Sequence, residues 1–238
     1  MELKGKTALI TGANRGLGFA MSEKLASMGA RVFMACRKKE DAEKAVSLLA
    51  SRGLDAAAKQ ADVENPADIE ALSADMSGSL KSLDILINNA GVNSEPMGTT
   101  IENIDLKLFE KIMNINLRGA LYMCSKFIPL LKNSPDARII NFSSGLAQLS
   151  VPRMGPFPSY SISKTGVNQL TWFLAEELKE TNVKVFSVDP GWVKTDMGGP
   201  NAMLEISEGI DTPIWLATAP AEDLKSGCFY KERKVLGW

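Results

Sequence analysis

Short apolar runs alternate along the chain with stretches of helical periodicity. The apolar runs predict six β-strands, at residues 7–11, 31–36, 55–61, 83–88, 138–142 and 183–188. Residues 16–28 have the pattern of an amphipathic helix that ends at Gly29. This alternation predicts an α/β fold, a doubly wound parallel sheet with helices on both faces. We expect residues 1–238 to form one such domain.

Prolines modify this pattern in three places. Pro66 stands where the first turn of a helix tolerates proline. Residues 103–131 predict one long helix, or two helices with a break around Pro129. Residues 151–158 contain three prolines, so we expect a stiff surface loop there.

The charge balance favours small-molecule partners. The chain has 27 Lys and Arg against 28 Asp and Glu, and a net charge of −1 gives no footprint for nucleic acid or an anionic membrane. Cys36, Cys124 and Cys228 are far apart and form no CxxC pair. We see neither a signal-peptide pattern at the start nor an apolar run of membrane-spanning length. These features predict a soluble, cytoplasmic protein.

The sequence contains no histidine. The commonest general base and the commonest zinc ligand are therefore missing. We expect no metal site, and any acid/base chemistry must use another group.

A glycine-rich segment, Thr11-Gly-Ala-Asn-Arg-Gly-Leu-Gly18, lies between the first predicted strand and the first predicted helix. In this position backbone N–H groups and the helix N-terminus face a dinucleotide pyrophosphate. We expect a tight turn at Gly12, close phosphate approach at Gly16 and close helix packing at Gly18. The predicted cofactor-binding residues of this loop are Gly12, Asn14, Arg15, Gly16, Leu17 and Gly18.

The second predicted strand is followed by Arg37 rather than by an acidic residue. A carboxylate there would accept hydrogen bonds from the ribose 2′-OH of NAD, whereas a guanidinium binds the 2′-phosphate of NADP. Arg37, helped by Arg15, therefore favours NADP(H). The alternative is that both are solvated charges at helix starts.

Tyr160 and Lys164 are four residues apart and share one face of a helix. A neighbouring ammonium favours phenolate and would lower the tyrosine pKa. Tyr122 and Tyr230 also precede a lysine by four residues, but we interpret Tyr122 as core and Tyr230 as structural. Tyr160 differs because it follows a strand that ends in Ser144, at the sheet edge where ligands bind.

The fourth predicted strand ends in Asn88-Asn-Ala-Gly91. Small residues at this edge leave room for a cofactor, and asparagines can cap exposed backbone groups. The alternative is a plain turn at the end of a strand.

Together these motifs resemble the short-chain dehydrogenase/reductase family, from Lys6 to about Thr195. The glycine loop has the TGxxxGxG form, whereas the epimerase-like branch of the family would require glycine in place of Arg15. The resemblance implies a Rossmann-like fold and a catalytic tetrad of Asn116, Ser144, Tyr160 and Lys164.

The resemblance also implies cofactor contacts along the chain. They are Asp62 and Val63 near the adenine, Asn89, Ala90 and Gly91 along the cofactor, Tyr160 and Lys164, and Pro190, Gly191, Val193 and Thr195 around the nicotinamide.

Residues 191–199, 211–217 and 227–234 are similar to the NADPH-dependent carbonyl reductases of this family. The resemblance implies reduction of an aldehyde, ketone or quinone with Tyr160 as general acid/base. A catalytically weak NADP(H)-binding sensor or signalling protein of the same fold is the alternative.

Homo-oligomers are common in the family, so a dimer, a tetramer and a monomer all stay open. The expected substrate face includes Leu146, Gln148, Phe157, Trp192 and Met197, with a core role as the alternative.

Overall fold

A single eight-stranded sheet organises the molecule in the computed structural model, which describes residues 2–152 and 155–238. The strands are β1 (Thr7–Thr11), β2 (Arg31–Cys36), β3 (Ala56–Gln60), β4 (Ile85–Asn88), β5 (Ala137–Phe142), β6 (Val183–Val188), β7 (Cys228–Lys231) and β8 (Lys234–Leu236). The strand order is β3-β2-β1-β4-β5-β6-β7-β8. β1 to β7 pair in parallel, and β8 pairs antiparallel with β7.

Helices cover both faces of this sheet. They are α1 (Gly16–Ser27), α2 (Lys39–Ala50), α3 (Pro66–Ser79), α4 (Leu106–Met113), α5 (Gly119–Lys132), α6 (Pro158–Glu177), α7 (Ile206–Gly209) and α8 (Asp211–Thr218). A π-helical turn, Asn114–Arg118, joins α4 to α5. The predicted doubly wound sheet and its first six strands are confirmed, with boundaries that differ by at most two residues.

The core lies in two layers, one on each face of the sheet. Successive side chains of a strand point to opposite faces, so Ile10 packs with Met21 and Leu25 of α1 while Leu9 packs with Phe127 of α5. All five side chains are fully buried. The strands β1 and β4, in the middle of the sheet, are therefore buried on both faces.

The predicted break around Pro129 is wrong. Pro129 lies inside α5, in its last turn, and the helix continues to Lys132. A proline removes one backbone donor and crowds the preceding turn, and close to the helix end this leaves α5 intact. The irregular point is instead the π-helical turn before α5.

The proline-rich loop is shorter than predicted. Val151 and Pro152 are exposed, as expected for a surface loop, but Pro158 is buried and is the first residue of α6. Its fixed φ suits the first helical position. Arg153 and Met154 of the predicted loop lie outside the described residues.

The strand order places a topological switch point between β1 and β4. From β1 the chain builds β2 and β3 on one side, and then crosses to β4 on the other side. In such sheets, ligands bind in the crevice at the carboxyl ends of the strands at this point. The glycine loop after β1 and Asn89 after β4 both lie at this crevice.

Candidate active site

The glycine loop forms a bare backbone cradle. Gly12 has φ +64°, a conformation that favours glycine. A Cβ on Gly18 would lie 2.3 Å from the carbonyl oxygen of Gly12, so only glycine lets α1 start this close to β1. The N-cap residue of α1, Arg15, makes no side-chain capping bond. The first N–H groups of α1 are therefore available to an anion, which fits a dinucleotide pyrophosphate.

Hydrogen bonds of Asn89 and Thr11 connect the end of β4 to the glycine loop. The Asn89 amide nitrogen donates to the carbonyl oxygens of Thr11 (2.8 Å) and Gly12 (3.1 Å). The Thr11 hydroxyl accepts hydrogen bonds from the backbone N–H groups of Asn89 (3.1 Å) and Ala90 (3.0 Å). The Asn89 side chain thus shapes the cradle, and Thr11 is a residue of the site that the sequence analysis missed.

Asn116 lies in the π-helical turn, and its side chain makes three hydrogen bonds. Its side chain accepts from the N–H of Val92 (2.8 Å) and donates to the Val92 carbonyl (2.9 Å) and to the Ser163 hydroxyl (3.0 Å). Asn116 is 2% exposed. π-helical turns are rare and often occur at functional sites. Ser163 was not predicted, because serine spacing within a helix carries no signal of this contact.

Gly91 separates Asn116 from Lys164. A Cβ at Gly91 would lie 3.3 Å from the Asn116 side-chain oxygen and 3.4 Å from the Lys164 Nζ. The Lys164 Nζ donates to the Phe142 carbonyl oxygen at 2.7 Å. The missing side chain at Gly91 therefore brings two members of the predicted tetrad together.

Ser144 and Tyr160 complete the cluster. A hydrogen bond joins their hydroxyls, and both residues are half-buried, within reach of a small molecule. The neighbouring Ser143 is 3% exposed and donates to the Lys164 carbonyl oxygen at 3.1 Å. Of the two serines, Ser144 is therefore the one that lies beside the Tyr160 hydroxyl.

The pKa of Tyr160 departs from the expected direction. Burial raises this pKa to about 12, with a small further rise from Asp189, and the Ser144 hydrogen bond offsets only part of the rise. The Lys164 Nζ lies 5.7 Å from the centre of the Tyr160 ring, and its own burial lowers the Lys164 pKa to about 8. Desolvation is the largest influence on the phenol pKa, and it acts against the lowering that we expect from the Lys164 charge.

The two predicted 2′-phosphate ligands differ in their surroundings. Arg15 forms an ion pair with Asp196 at 2.5 Å, and both side chains are 72% exposed. Arg37 is exposed and makes no ion pair with any residue that the structure describes. Arg37 therefore remains available to an anionic ligand.

The loop after β6 closes the other side of the cradle. A Cβ on Gly16 would lie 3.4 Å from the Thr195 methyl group, so this loop and the glycine loop are in contact. Gly191 has φ +78°, and Val193 is buried. Pro190 precedes this glycine and is half-buried.

Four of the predicted cofactor residues have largely internal contacts. Leu17 and Val193 both pack against Gly209 of α7. The Asp62 carboxylate accepts from the Glu64 N–H at 3.0 Å, and Val63 packs against Gly119 at the start of α5. Asn14 is half-buried in the glycine loop.

The side chains predicted to face the substrate are not core residues. Trp192 and Met197 are 51% and 52% exposed. Leu146, Gln148 and Phe157 are half-buried. Their exposure removes the alternative that they fill the interior.

A family model described as short chain dehydrogenase matches residues 6–203. The chain belongs to the short-chain dehydrogenase family. This is the family that the glycine loop, Asn89 to Gly91, and the Tyr160 and Lys164 pair predicted. Membership makes the chain an oxidoreductase of a family that binds a nicotinamide cofactor.

Carbonyl reductase [NADPH] 1 of Mus musculus is 30% identical, and the match covers 100% of both chains. (+)-Neomenthol dehydrogenase of Arabidopsis thaliana is 31% identical over 96% of both chains. The crystal structure of NADPH-bound carbonyl reductase from chicken fatty liver superposes with a TM-score of 0.88 at 31% identity. That superposition covers 99% of this chain and 100% of the chicken chain.

The other two tyrosines of this short-chain dehydrogenase lie outside the cluster. Tyr230 is buried in β7 and bonds through its hydroxyl to the backbone of Lys225, which agrees with a structural role. Tyr122 is only half-buried, and its hydroxyl reaches the surface carboxylate of Glu70. The interpretation of Tyr122 as core is therefore only partly right, because just its ring packs on the core.

Proposed function

We propose that this short-chain dehydrogenase is an NADP(H)-dependent carbonyl reductase that converts an aldehyde, ketone or quinone to an alcohol. The observation that carries the proposal is the meeting of Asn116, Ser144, Tyr160 and Lys164 beside the glycine cradle. The similarity to carbonyl reductases whose names specify NADPH supports the same reading.

The cradle and Arg37 fit an NADP(H) molecule. When bound, NADPH supplies the hydride that reduces the carbonyl carbon. The N–H groups at the start of α1 would hold the pyrophosphate. Arg37, which has no ion-pair partner within residues 2–152 and 155–238, would hold the 2′-phosphate.

Tyr160 would protonate the carbonyl oxygen. Its phenol carries the proton to be transferred at neutral pH, because burial raises its pKa to about 12. Ser144, which already bonds the phenol, would donate a second hydrogen bond to the same oxygen. General acid catalysis of this kind is worth about 10²–10⁴ in rate.

Lys164 and Asn116 would support the proton donor. Lys164 is 4% exposed, lies under the tyrosine ring and would hold the nicotinamide ribose. Its positive charge also stabilises phenolate once the proton has left. Asn116 would position a water that relays a proton to Tyr160.

An uncharged, mostly apolar substrate suits the mouth of the site. Trp192, Met197, Leu146 and Phe157 would contribute apolar surface around it, since none of them is fully buried. Among the described residues, no helix is both long and apolar enough to cross a bilayer. The thiols of Cys36, Cys124 and Cys228 are all free, so the proposal includes a reducing, cytoplasmic setting.

Steady-state NADPH oxidation with a panel of aldehydes, ketones and quinones tests this function. We expect turnover with NADPH and weaker binding of NADH, followed by fluorescence titration. Tight NADPH binding without turnover on any substrate class would contradict the reductase and favour the sensor. A preference for NADH would contradict the role of Arg37.

A further inference from the structure

Glu95 is a buried carboxylate that the proposed reaction does not use. It lies in the loop between β4 and α4 and is 7% exposed. Its two oxygens accept hydrogen bonds from two consecutive backbone N–H groups, those of Ser159 at 3.0 Å and Tyr160 at 2.8 Å. The carboxylate therefore contacts the backbone of the proposed proton donor itself.

Among the residues that the structure describes, no other side chain accepts from these N–H groups at the start of α6. Phe157, the N-cap residue, cannot accept through its side chain, and Pro158 at the first helical position has no N–H to offer. Ser161 already donates to the Phe157 carbonyl oxygen at 2.9 Å. Ser159 and Tyr160 thus carry the unpaired N–H groups of the helix start, and Glu95 accepts both.

The position of Glu95 is unusual because burying a carboxylate is costly unless it is fully hydrogen-bonded. Two backbone donors and the positive end of the α6 dipole compensate for that burial. Exposed caps elsewhere in the chain have no such cost. Asp105, for example, is exposed and caps α4 by accepting from the N–H groups of Lys107 and Leu108.

The loop after β4 is connected to α6 by a second set of hydrogen bonds. Val92 is paired with Asn116 through both its N–H and its carbonyl, and Asn116 donates to Ser163 of α6. The Glu95 contact and the Asn116 contact together fix the first two turns of α6 against the loop that follows β4. Tyr160 lies in the first of these turns.

We propose that Glu95 is a positioning residue that holds the backbone of Tyr160, so that the phenol stays aligned with Ser144 and the substrate oxygen. The proposal rests on the proposed function of Tyr160 as proton donor. In this role Glu95 contacts neither substrate nor cofactor. We therefore expect its removal to lower kcat and to leave KM and the Kd for NADPH unchanged.

Kinetics of Glu95→Ala and Glu95→Gln test this role against Asp105→Ala, which also removes a two-bond helix cap. We expect Glu95→Ala to lower kcat by about ten- to a hundredfold, since small misplacements of a reacting group cost rate on that order. KM for the carbonyl and the Kd for NADPH should stay near the wild-type values. Glu95→Gln keeps the volume and one acceptor oxygen, so it should recover part of kcat. Asp105→Ala should keep wild-type kcat.

Hydrogen exchange of the Ser159 and Tyr160 amides provides a readout that does not depend on turnover. Exchange at both amides should accelerate in Glu95→Ala and stay unchanged in Asp105→Ala. If the wild type reduces no carbonyl and the two amides still exchange faster in Glu95→Ala, the proposed function is refuted but the Glu95 contact is supported. Wild-type kcat in Glu95→Gln and in any folded Glu95→Ala would overturn the positioning role.

Discussion

At the scale of single residues, charge pairing decides which basic group is available to the cofactor. Arg15 is engaged with Asp196, whereas Arg37 has no ion-pair partner among the described residues. The sequence suggests Arg15 as a helper of Arg37, but it does not indicate the ion pair, because Asp196 is 181 residues away along the chain. Arg37 therefore carries most of the proposed preference for NADP(H).

We expect Arg37→Asp to reverse the cofactor preference. Losing charge-assisted bonds to a 2′-phosphate costs about 1.5–3 kcal/mol, so the Kd for NADPH should rise roughly ten- to a hundredfold. NADH binding should hold or improve, because a carboxylate can accept from the ribose 2′-OH. Fluorescence titration measures both values. Arg31→Asp, at the other end of β2, is the control, and an unchanged NADPH Kd in Arg37→Asp would contradict this role.

Glu95 and Tyr160 show how far residue-level prediction reaches. The tyrosine–lysine spacing is local and visible in the sequence, and Tyr160 lies where that spacing and the preceding strand predicted. The Glu95 contact joins residues 64 and 65 positions apart, and it depends on where a loop lies relative to a helix start. A capping carboxylate with no fixed spacing to its helix leaves no sequence pattern.

At the scale of elements, six of the seven parallel strands were predictable, and the terminal hairpin of β7 and β8 was not. Buried parallel strands give continuous apolar runs, and such runs are visible in β1, β2 and β4. The hairpin of β7 and β8 turns through Glu232 and Arg233, at φ 49° and 59°. Such turns usually contain Asn-Gly or Asp-Gly, so two charged residues gave no turn signal.

Asp84 joins three elements of the fold at the end of the sheet opposite the site. Its buried carboxylate accepts from Lys6 Nζ, the Thr7 N–H and the Ser134 hydroxyl, each at 2.8 Å. Burial alone would raise the pKa of this group, but these hydrogen bonds and the Lys6 charge outweigh it and hold the pKa below its ordinary value. Asp84 thus connects the start of β1 and the start of β4 with the turn before β5.

We expect Asp84→Asn to lower the free energy of unfolding by about 1–3 kcal/mol at neutral pH. The native-state pKa is depressed, so the contribution of Asp84 is complete above the unfolded-state pKa of about 3.9 and is lost as pH falls through the native value. Urea unfolding at a series of pH values should show the wild type and Asp84→Asn converging below about pH 4. Asp55→Asn, in an exposed ion pair with Arg31, is the control. A difference that stays constant down to acid pH would contradict this account.

At the scale of the whole molecule, the strand order brings separate motifs to one crevice. The glycine loop follows β1, Asn89 follows β4, Ser144 follows β5 and the Thr195 loop follows β6, and these strands are neighbours in the sheet. Parallel strands end at the same edge, so the crevice could be predicted from the sequence. The pKa of Tyr160 inside this crevice could not be predicted from the sequence. It is raised because the folded chain excludes water from the phenol, and the extent of that burial depends on the packing of distant residues.

The central claim is that Tyr160 donates the proton in NADPH-dependent carbonyl reduction, and turnover by Tyr160→Phe tests it most directly. Phenylalanine keeps the ring that packs over Lys164 and removes only the hydroxyl. We predict that kcat falls at least about a hundredfold on any carbonyl that the wild type reduces, with the Kd for NADPH unchanged. A Tyr160→Phe protein that reduces the carbonyl at the wild-type rate would contradict the account.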